Sequence, residues 1–176
     1  NRQQDGGWCR SLEAIEYHSP LTGMANWSGL YANELLHRLL PLQHPSPLIF
    51  QAYHTLIKQL QKPTPSDPMP QQLAWALRQF EWQLLQDLGY APPLITDEGN
   101  ELIPSSYYEW DDSHGWQVTN RGILGQDLLQ LTQANSDYSV VDATRQQFLR
   151  TFLQFRLTLI MPNLPFAMRQ WWENLR

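Results

Sequence analysis

The stretch Arg78-Gln-Phe-Glu-Trp-Gln-Leu-Leu-Gln-Asp-Leu-Gly-Tyr90 has the pattern of an amphipathic helix followed by a stop signal. Gly89 favours the left-handed conformation that commonly ends a helix. With residues placed at about 100° intervals, one apolar stripe spans about 80°. The sequence therefore predicts a helix over 71–88 whose core stripe is Leu73, Leu77, Phe80, Leu84 and Leu88.

The opposite side of this helix carries Trp75, Arg78 and Trp82 at spacing i, i+3 and i+7. One interpretation is a central helix that packs on both sides, with Arg78 stacked or paired. The other is an outward-facing peptide-binding surface, since Trp and Arg are enriched at binding hot spots. An arginine between apolar walls would suit a peptide that ends in a carboxylate. We adopt the second as a hypothesis and expect this face to be open.

A second amphipathic stretch, Trp27-Ser-Gly-Leu-Tyr-Ala-Asn-Glu-Leu-Leu-His-Arg-Leu-Leu40, predicts a helix over 24–40. Its stripe consists of Trp27, Leu30, Tyr31, Leu35 and Leu39. The proline-rich segment 62–70 predicts a linker, because proline removes backbone donors and fixes φ. Apolar periodicity predicts four further helices, over 47–61, 124–133, 141–160 and 165–174.

Residues 91–120 lose helical periodicity and contain several turn signals. Within them, 107–110 and 116–119 are separated by a turn sequence and predict a β-hairpin. Near the start of the chain, 8–18 alternate between apolar and polar residues, which predicts a short strand. The predicted fold class is mainly α, a six-helix domain with a small irregular, β-hairpin excursion between helices 3 and 4.

Composition limits the classes of function. The chain has 176 residues, 42% of them apolar, one cysteine and a net charge of −5, which disfavours strong phosphate binding. Residues 1–113 hold 6 basic and 13 acidic side chains (−7), whereas 114–176 hold 6 and 4 (+2). Any DNA surface should therefore lie toward the C-terminal end. No apolar run is long enough for a membrane span, and we expect a cytoplasmic protein.

Four arginines in the C-terminal part are possible DNA contacts. They are interleaved with aromatic residues, an arrangement that can hold single strands through phosphate contacts and base stacking. Helical spacing favours a core role for most of the rings, so the arginines are the better candidates. They are Arg145, Arg150, Arg156 and Arg169.

Catalytic and metal motifs are weak. Glu34-Leu-Leu-His37 matches a motif of di-iron bundles, but such sites need a second copy, which the sequence does not contain. We predict no metal, no cofactor and no enzyme activity. The alternative is a helical metal-dependent hydrolase that uses Glu34, His37 and the acidic residues of 97–112.

The two quoted stretches, read in order, resemble the helical part of the RecO family of bacterial recombination mediators. Weaker support comes from Arg10-Ser-Leu-Glu-Ala14, from Pro20-Leu-Thr-Gly23 and from the Phe-x-x-Arg pattern at 166–169. The resemblance implies an N-terminal OB-fold that would precede Asn1. It further implies that 1–23 form an exit strand and linker, and that 24–176 form the helical domain.

The resemblance also implies a role in DNA repair. RecO proteins bind single-stranded DNA, anneal strands, and assist recombinase loading through RecR and the acidic C-terminal tail of single-stranded-DNA-binding protein, without nucleotide hydrolysis. Arg78 matches a family arginine implicated in binding this tail, whereas Trp75 and Trp82 are proposed as pocket walls from spacing alone. Some members carry four zinc-binding cysteines in the region of 91–120; this sequence has none there, which predicts no zinc.

Overall fold

A computed structural model describes residues 11, 19–42, 45–62, 71–133 and 143–161. The helices in these ranges are α1 (Gly23–Leu39), α2 (Pro47–Leu60), α3 (Gln71–Asp87), α4 (Gly125–Leu131) and α5 (Ala143–Ile160). The strands are β1 (Tyr107–Asp111), β2 (Gly115–Thr119) and β3 (Ile123–Leu124). The mainly helical class is confirmed, but the count of six helices is not matched. The predicted helix 165–174 and strand 8–18 lie outside the described residues.

Helix α3 is the centre of the fold. It packs mainly against α2 and α5, with further contacts to α4 and α1. The predicted stripe is buried from Leu73 to Leu84, and Leu88 is half-buried. Because neighbours surround α3, it also buries the polar residues Arg78, Gln79 and Glu81. Burial of apolar area stabilises this arrangement by about 25 cal/mol per Å².

Local signals fix the ends of α2 and α3. The Ser46 side chain caps α2 by accepting a hydrogen bond from the Ile49 N–H at 3.3 Å, and Pro47 occupies the first turn. After α3, Gly89 has φ 77°, as predicted for a left-handed stop. The Tyr90 N–H then donates to the Leu85 carbonyl at 2.8 Å, which satisfies one of the terminal carbonyls.

The three strands form an antiparallel sheet in the order β2-β1-β3. The β1–β2 hairpin was predicted and is confirmed, with Trp110 opposite Trp116. Its turn is closed by the Asp111 carboxylate, which accepts hydrogen bonds from the backbone N–H groups of Ser113 and His114 at 2.8 Å each. Strand β3 was not predicted, because two residues are too short to show a period.

Trp116 joins the sheet to the helices. Its ring centroid lies 5.0 Å from that of Phe152 on α5, and its indole N–H donates to the Pro93 carbonyl at 3.0 Å. Leu149, Leu153 and Leu157 on α5 are buried in the common core. The sheet is thereby held beside α5. No helix within the described ranges is long and apolar enough to cross a membrane.

Candidate functional site

The face of α3 proposed for tail binding is buried. Trp75 is 3% exposed, Arg78 5% and Trp82 2%. The expectation of an outward-facing surface is therefore wrong. The physical reason is that α3 has packing partners on several sides, so its middle turns have no solvent face. Of the two interpretations of the sequence, the central helix with a paired arginine describes the structure.

Arg78 belongs to a buried charge cluster, which we define as Arg78, Glu81 and Tyr31. The Arg78 Nη2 lies 2.9 Å from the Glu81 Oε1, and the Tyr31 hydroxyl donates to the same oxygen at 2.7 Å. Glu81 is completely buried. Arg150, half-buried on α5, lies close enough for its charge to lower the pKa of both Glu81 and Tyr31. The cluster links α1 and α3, and Arg150 of α5 lies beside it.

Sequence reasoning missed Glu81 and Tyr31 as members of this site. Tyr31 was assigned to the core stripe of α1, where its ring does lie. The available signal was the i, i+3 spacing of Arg78 and Glu81, which places opposite charges side by side on a helix. That spacing occurs on many exposed helices, so it did not by itself indicate a buried pair.

Burial dominates the electrostatics of the cluster. Desolvation raises the pKa of Glu81, although the Arg78 charge and the Tyr31 hydrogen bond act in the opposite direction. Burial, followed by the negative charge of Glu81, raises the pKa of Tyr31. Tyr31 therefore remains a hydrogen-bond donor at neutral pH.

Part of the hydrogen-bonding capacity around the cluster is unused. Among the described residues, the indole N–H groups of Trp75 and Trp82 and the Glu81 Oε2 are buried without a hydrogen-bond partner. A buried group left in this state costs about 1–3 kcal/mol. The two indole N–H groups lie on the same face of α3 as Arg78.

Two of the predicted DNA-binding arginines are engaged in internal contacts. Arg145 makes a two-pronged ion pair with Asp127, which is completely buried, and one of its contacts measures 2.9 Å. Arg156 donates to the Tyr90 carbonyl at 2.8 Å and lies 5.5 Å from the Trp110 ring centroid. These contacts stabilise the fold and reduce the charge available to phosphate. A DNA role for the four arginines stays a prediction.

The other two candidate arginines are Arg150 and Arg169. Arg150 lies beside the buried charge cluster, as described above. Arg169 lies outside the described residues. The structure therefore does not bring the four arginines together into one exposed basic surface within the ranges it describes.

The residues of the alternative metal site are not assembled. Glu34 forms an ion pair with Arg38 at 2.8 Å, and His37 is exposed one turn along α1. Across the described ranges, no three His, Cys, Asp or Glu side chains are grouped so that they could hold a metal ion. The hydrolase alternative therefore gains no support from this part of the chain.

A protein-family model described as "Recombination protein O C terminal" matches residues 22–158. The chain belongs to the RecO family. The match includes all five described helices of this RecO chain except the last two residues of α5.

Curated relatives carry the name DNA repair protein RecO. The chain is 39% identical to the protein from Pseudomonas putida strain W619 over 131 residues, which are 72% of this chain and 55% of the relative. It is 40% identical to that of Pseudomonas aeruginosa strain LESB58 over 137 residues, 75% and 55% of the two chains. The chain is 31% identical to the protein from Actinobacillus pleuropneumoniae strain JL03 over 162 residues, which are 89% of this chain and 63% of the relative. The RecO chain thus spans little more than half the length of these relatives.

Proposed function

We propose that this RecO chain is the protein-binding helical part of a recombination mediator in DNA repair. Its ligand is the acidic C-terminal tail of single-stranded-DNA-binding protein, and Arg78 anchors the tail carboxylate. The chain assists recombinase loading together with RecR, and strand annealing, without catalysing a reaction. The family match over 22–158 carries this proposal.

The charge distribution disfavours strong DNA binding by this part of the protein. The net charge is −5, and the two-pronged pairing of Arg145 with Asp127 occupies a cation that phosphate would otherwise attract. Affinity for DNA depends on the number of phosphates that a protein neutralises. We therefore propose only weak, secondary contacts between this chain and single-stranded DNA.

A tail can reach Arg78 only when the side chains that cover α3 move, since the guanidinium is 5% exposed. The incoming carboxylate then competes with Glu81, which lies 2.9 Å from Arg78. Trp75 and Trp82 contribute apolar walls and two indole N–H donors that lack partners among the described residues. Tail binding is thus proposed to exchange an internal ion pair for an intermolecular one.

The direct experiment titrates a labelled acidic tail peptide against wild type, Arg78→Ala and Arg38→Ala. Arg38 is the matched control, because it is an arginine on the surface whose partner Glu34 is also partly exposed. We expect Arg78→Ala to weaken binding about tenfold or more, as a lost charge-assisted contact is worth about 1.5–3 kcal/mol. Arg38→Ala should bind as wild type does.

Circular dichroism and thermal unfolding of each variant must accompany this titration, because Arg78 is buried and its loss can disturb the fold. Equal tail affinity in a folded Arg78→Ala protein would remove Arg78 from the binding site. A parallel loss of affinity in Arg38→Ala would indicate general charge attraction instead of a specific anchor.

A further inference from the structure

Helix α5 carries a second apolar stripe, in which Phe148 and Phe152 are partly buried against the common core. Leu149, Leu153 and Leu157 are buried. Phe148, Phe152 and Phe155 follow at spacing i, i+4 and i+7, and the centre of this set lies about 130° around the helix from the centre of the leucines. Phe155 is 46% exposed. The phenylalanines therefore form an aromatic surface that is partly buried at Phe148 and Phe152 and exposed at Phe155.

This surface is one wall of an open groove between α5 and the β1–β2 hairpin. The groove encloses about 550 Å³, within the range of protein ligand sites. Its opposite wall includes Trp110, whose ring centroid lies 5.3 Å from that of the buried Trp116 in an edge-to-face arrangement. Because Trp116 also contacts Phe152, the two walls are fixed relative to each other. We call this space the hairpin groove.

Carboxylates line the hairpin side of the groove: Glu109, Asp111 and Asp112. Asp111 accepts two backbone hydrogen bonds in the hairpin turn and lies 2.9 Å from the His114 ring, and these contacts lower its pKa. No lysine or arginine is among the described residues that line the groove. Aromatic and anionic surface are thus placed side by side.

A cation already uses this combination at the edge of the groove. The Arg156 guanidinium lies 5.5 Å from the Trp110 ring centroid, and its Nη1 is 3.9 Å from the Asp112 carboxylate. A guanidinium over an aromatic face gains cation–π attraction, and a nearby carboxylate adds a charge-assisted interaction. The internal contact shows the chemistry that suits the remaining surface.

We propose that the hairpin groove binds a basic peptide segment of a partner protein. An arginine or lysine of that segment lies along Phe152 and Phe155, with its charge beside Glu109 and Asp111. An apolar neighbour in the peptide fills the rest of the phenylalanine surface. The aliphatic stem of an arginine or lysine covers apolar area while the charged end stays near carboxylates.

The aromatic rings by themselves would also suit nucleotide bases, which stack on such side chains. The carboxylates decide between the two ligands. Glu109 and Asp111 repel a phosphate backbone and attract a basic peptide, whereas Asp112 already faces Arg156. The groove is also opposite in charge preference to the proposed tail site at Arg78. A failure of one proposal therefore leaves the other untouched.

The test measures fluorescence anisotropy of a labelled peptide in which arginine and leucine alternate, with a glutamate–leucine peptide and an oligothymidylate as comparison probes. The variants are Glu109→Lys and Phe155→Ala. Glu98→Lys is the matched charge reversal outside the groove, and Leu159→Ala is the matched truncation of an exposed apolar residue on α5.

We expect the arginine peptide to bind and the glutamate peptide not to bind. Glu109→Lys should weaken the affinity about tenfold or more, and Phe155→Ala should weaken it clearly, whereas both controls should bind as wild type does. Absence of arginine-peptide binding would overturn the proposal. Equal losses in Glu109→Lys and Glu98→Lys would also overturn it, as would oligothymidylate binding that Glu109→Lys strengthens and Phe155→Ala weakens.

Discussion

Glu81 is the residue on which the buried charge of α3 depends. Its carboxylate is the ion-pair partner of Arg78 and the hydrogen-bond acceptor for Tyr31, and all three side chains are buried. Removing one member of a buried pair leaves the other charge in a medium that solvates it poorly. The stability of the fold therefore depends on the Glu81 carboxyl group.

We predict that Glu81→Ala lowers the free energy of unfolding by about 3–5 kcal/mol, because it leaves the Arg78 charge buried. Urea denaturation followed by circular dichroism measures this value. Glu34→Ala is the control: it breaks a partly exposed ion pair with Arg38 and should cost less than about 1 kcal/mol. Similar losses in the two variants would show that Glu81 has no special role.

The raised pKa of Glu81 also predicts how stability depends on pH. The folded protein binds this proton more tightly than the unfolded chain, so the contribution of Glu81 is greatest in acid and falls as pH rises from about 4.3 through the higher folded value. We expect the stability of wild type relative to Glu81→Gln to decrease across this window. Denaturation of both proteins at a series of pH values measures it, and a difference that grows with pH would contradict the raised pKa.

At the level of elements, hydropathy periodicity predicted where most helices lie but not always which face is buried. The ranges of α1, α2, α3 and α5 agree with prediction to within one or two residues. In α1, however, Trp27 and Leu30 of the predicted stripe are exposed. A period identifies an apolar stripe, whereas the packing partner decides how much of that stripe is covered.

The hairpin could be predicted from the sequence because turn residues separate two short segments of alternating apolar and polar residues. The groove beside the hairpin could not be predicted, because its walls come from β1 and α5 and its shape depends on how these two elements pack. Helical spacing predicted a core role for most of the aromatic residues, and Phe148 and Phe152 do pack against the core, whereas Phe155 is exposed beside the groove. Helical spacing alone cannot distinguish two apolar stripes with different neighbours.

Gly122 lies close to β1 in a backbone conformation that favours glycine. Its φ is 145°, and a Cβ there would lie 2.5 Å from the Tyr108 carbonyl oxygen of β1. We predict that Gly122→Ala lowers the thermal midpoint more than Gly99→Ala, whose φ is also positive, at 81°, but whose Cβ would meet no atom within 4 Å. The backbone conformation costs about 1–3 kcal/mol in each variant, and only Gly122 adds a clash. Equal thermal midpoints for Gly122→Ala and Gly99→Ala would show that β1 shifts at little energetic cost to relieve the clash.

For the whole molecule, sequence resemblance led to the correct family, whereas helical spacing misjudged the surroundings of Arg78. Spacing places Trp75, Arg78 and Trp82 on one side of a helix. Whether that side is open depends on how the other helices surround α3, which involves contacts distant in sequence. A central helix and a peripheral helix with an apolar binding face share the same local pattern.

The same limit applies to the DNA-binding arginines. Counting charge along the chain indicated a basic C-terminal part, but it could not show that Arg145 pairs with Asp127 or that Arg156 packs over Trp110. Arg145 of α5 pairs with a residue of α4, and Arg156 of α5 packs on a residue of β1. Both contacts depend on how these elements pack in the folded chain. The described C-terminal residues of this RecO chain therefore expose less positive charge than the count along the sequence suggests.

In the proposed tail complex, the tail carboxylate displaces Glu81 from Arg78. The most direct measurement is the affinity of the acidic tail peptide for Glu81→Gln, compared with wild type at the same pH and salt. This substitution keeps the shape of the side chain and removes the competing charge, so the proposal predicts tighter binding than in wild type. Unchanged or weaker binding by a folded Glu81→Gln protein would contradict it.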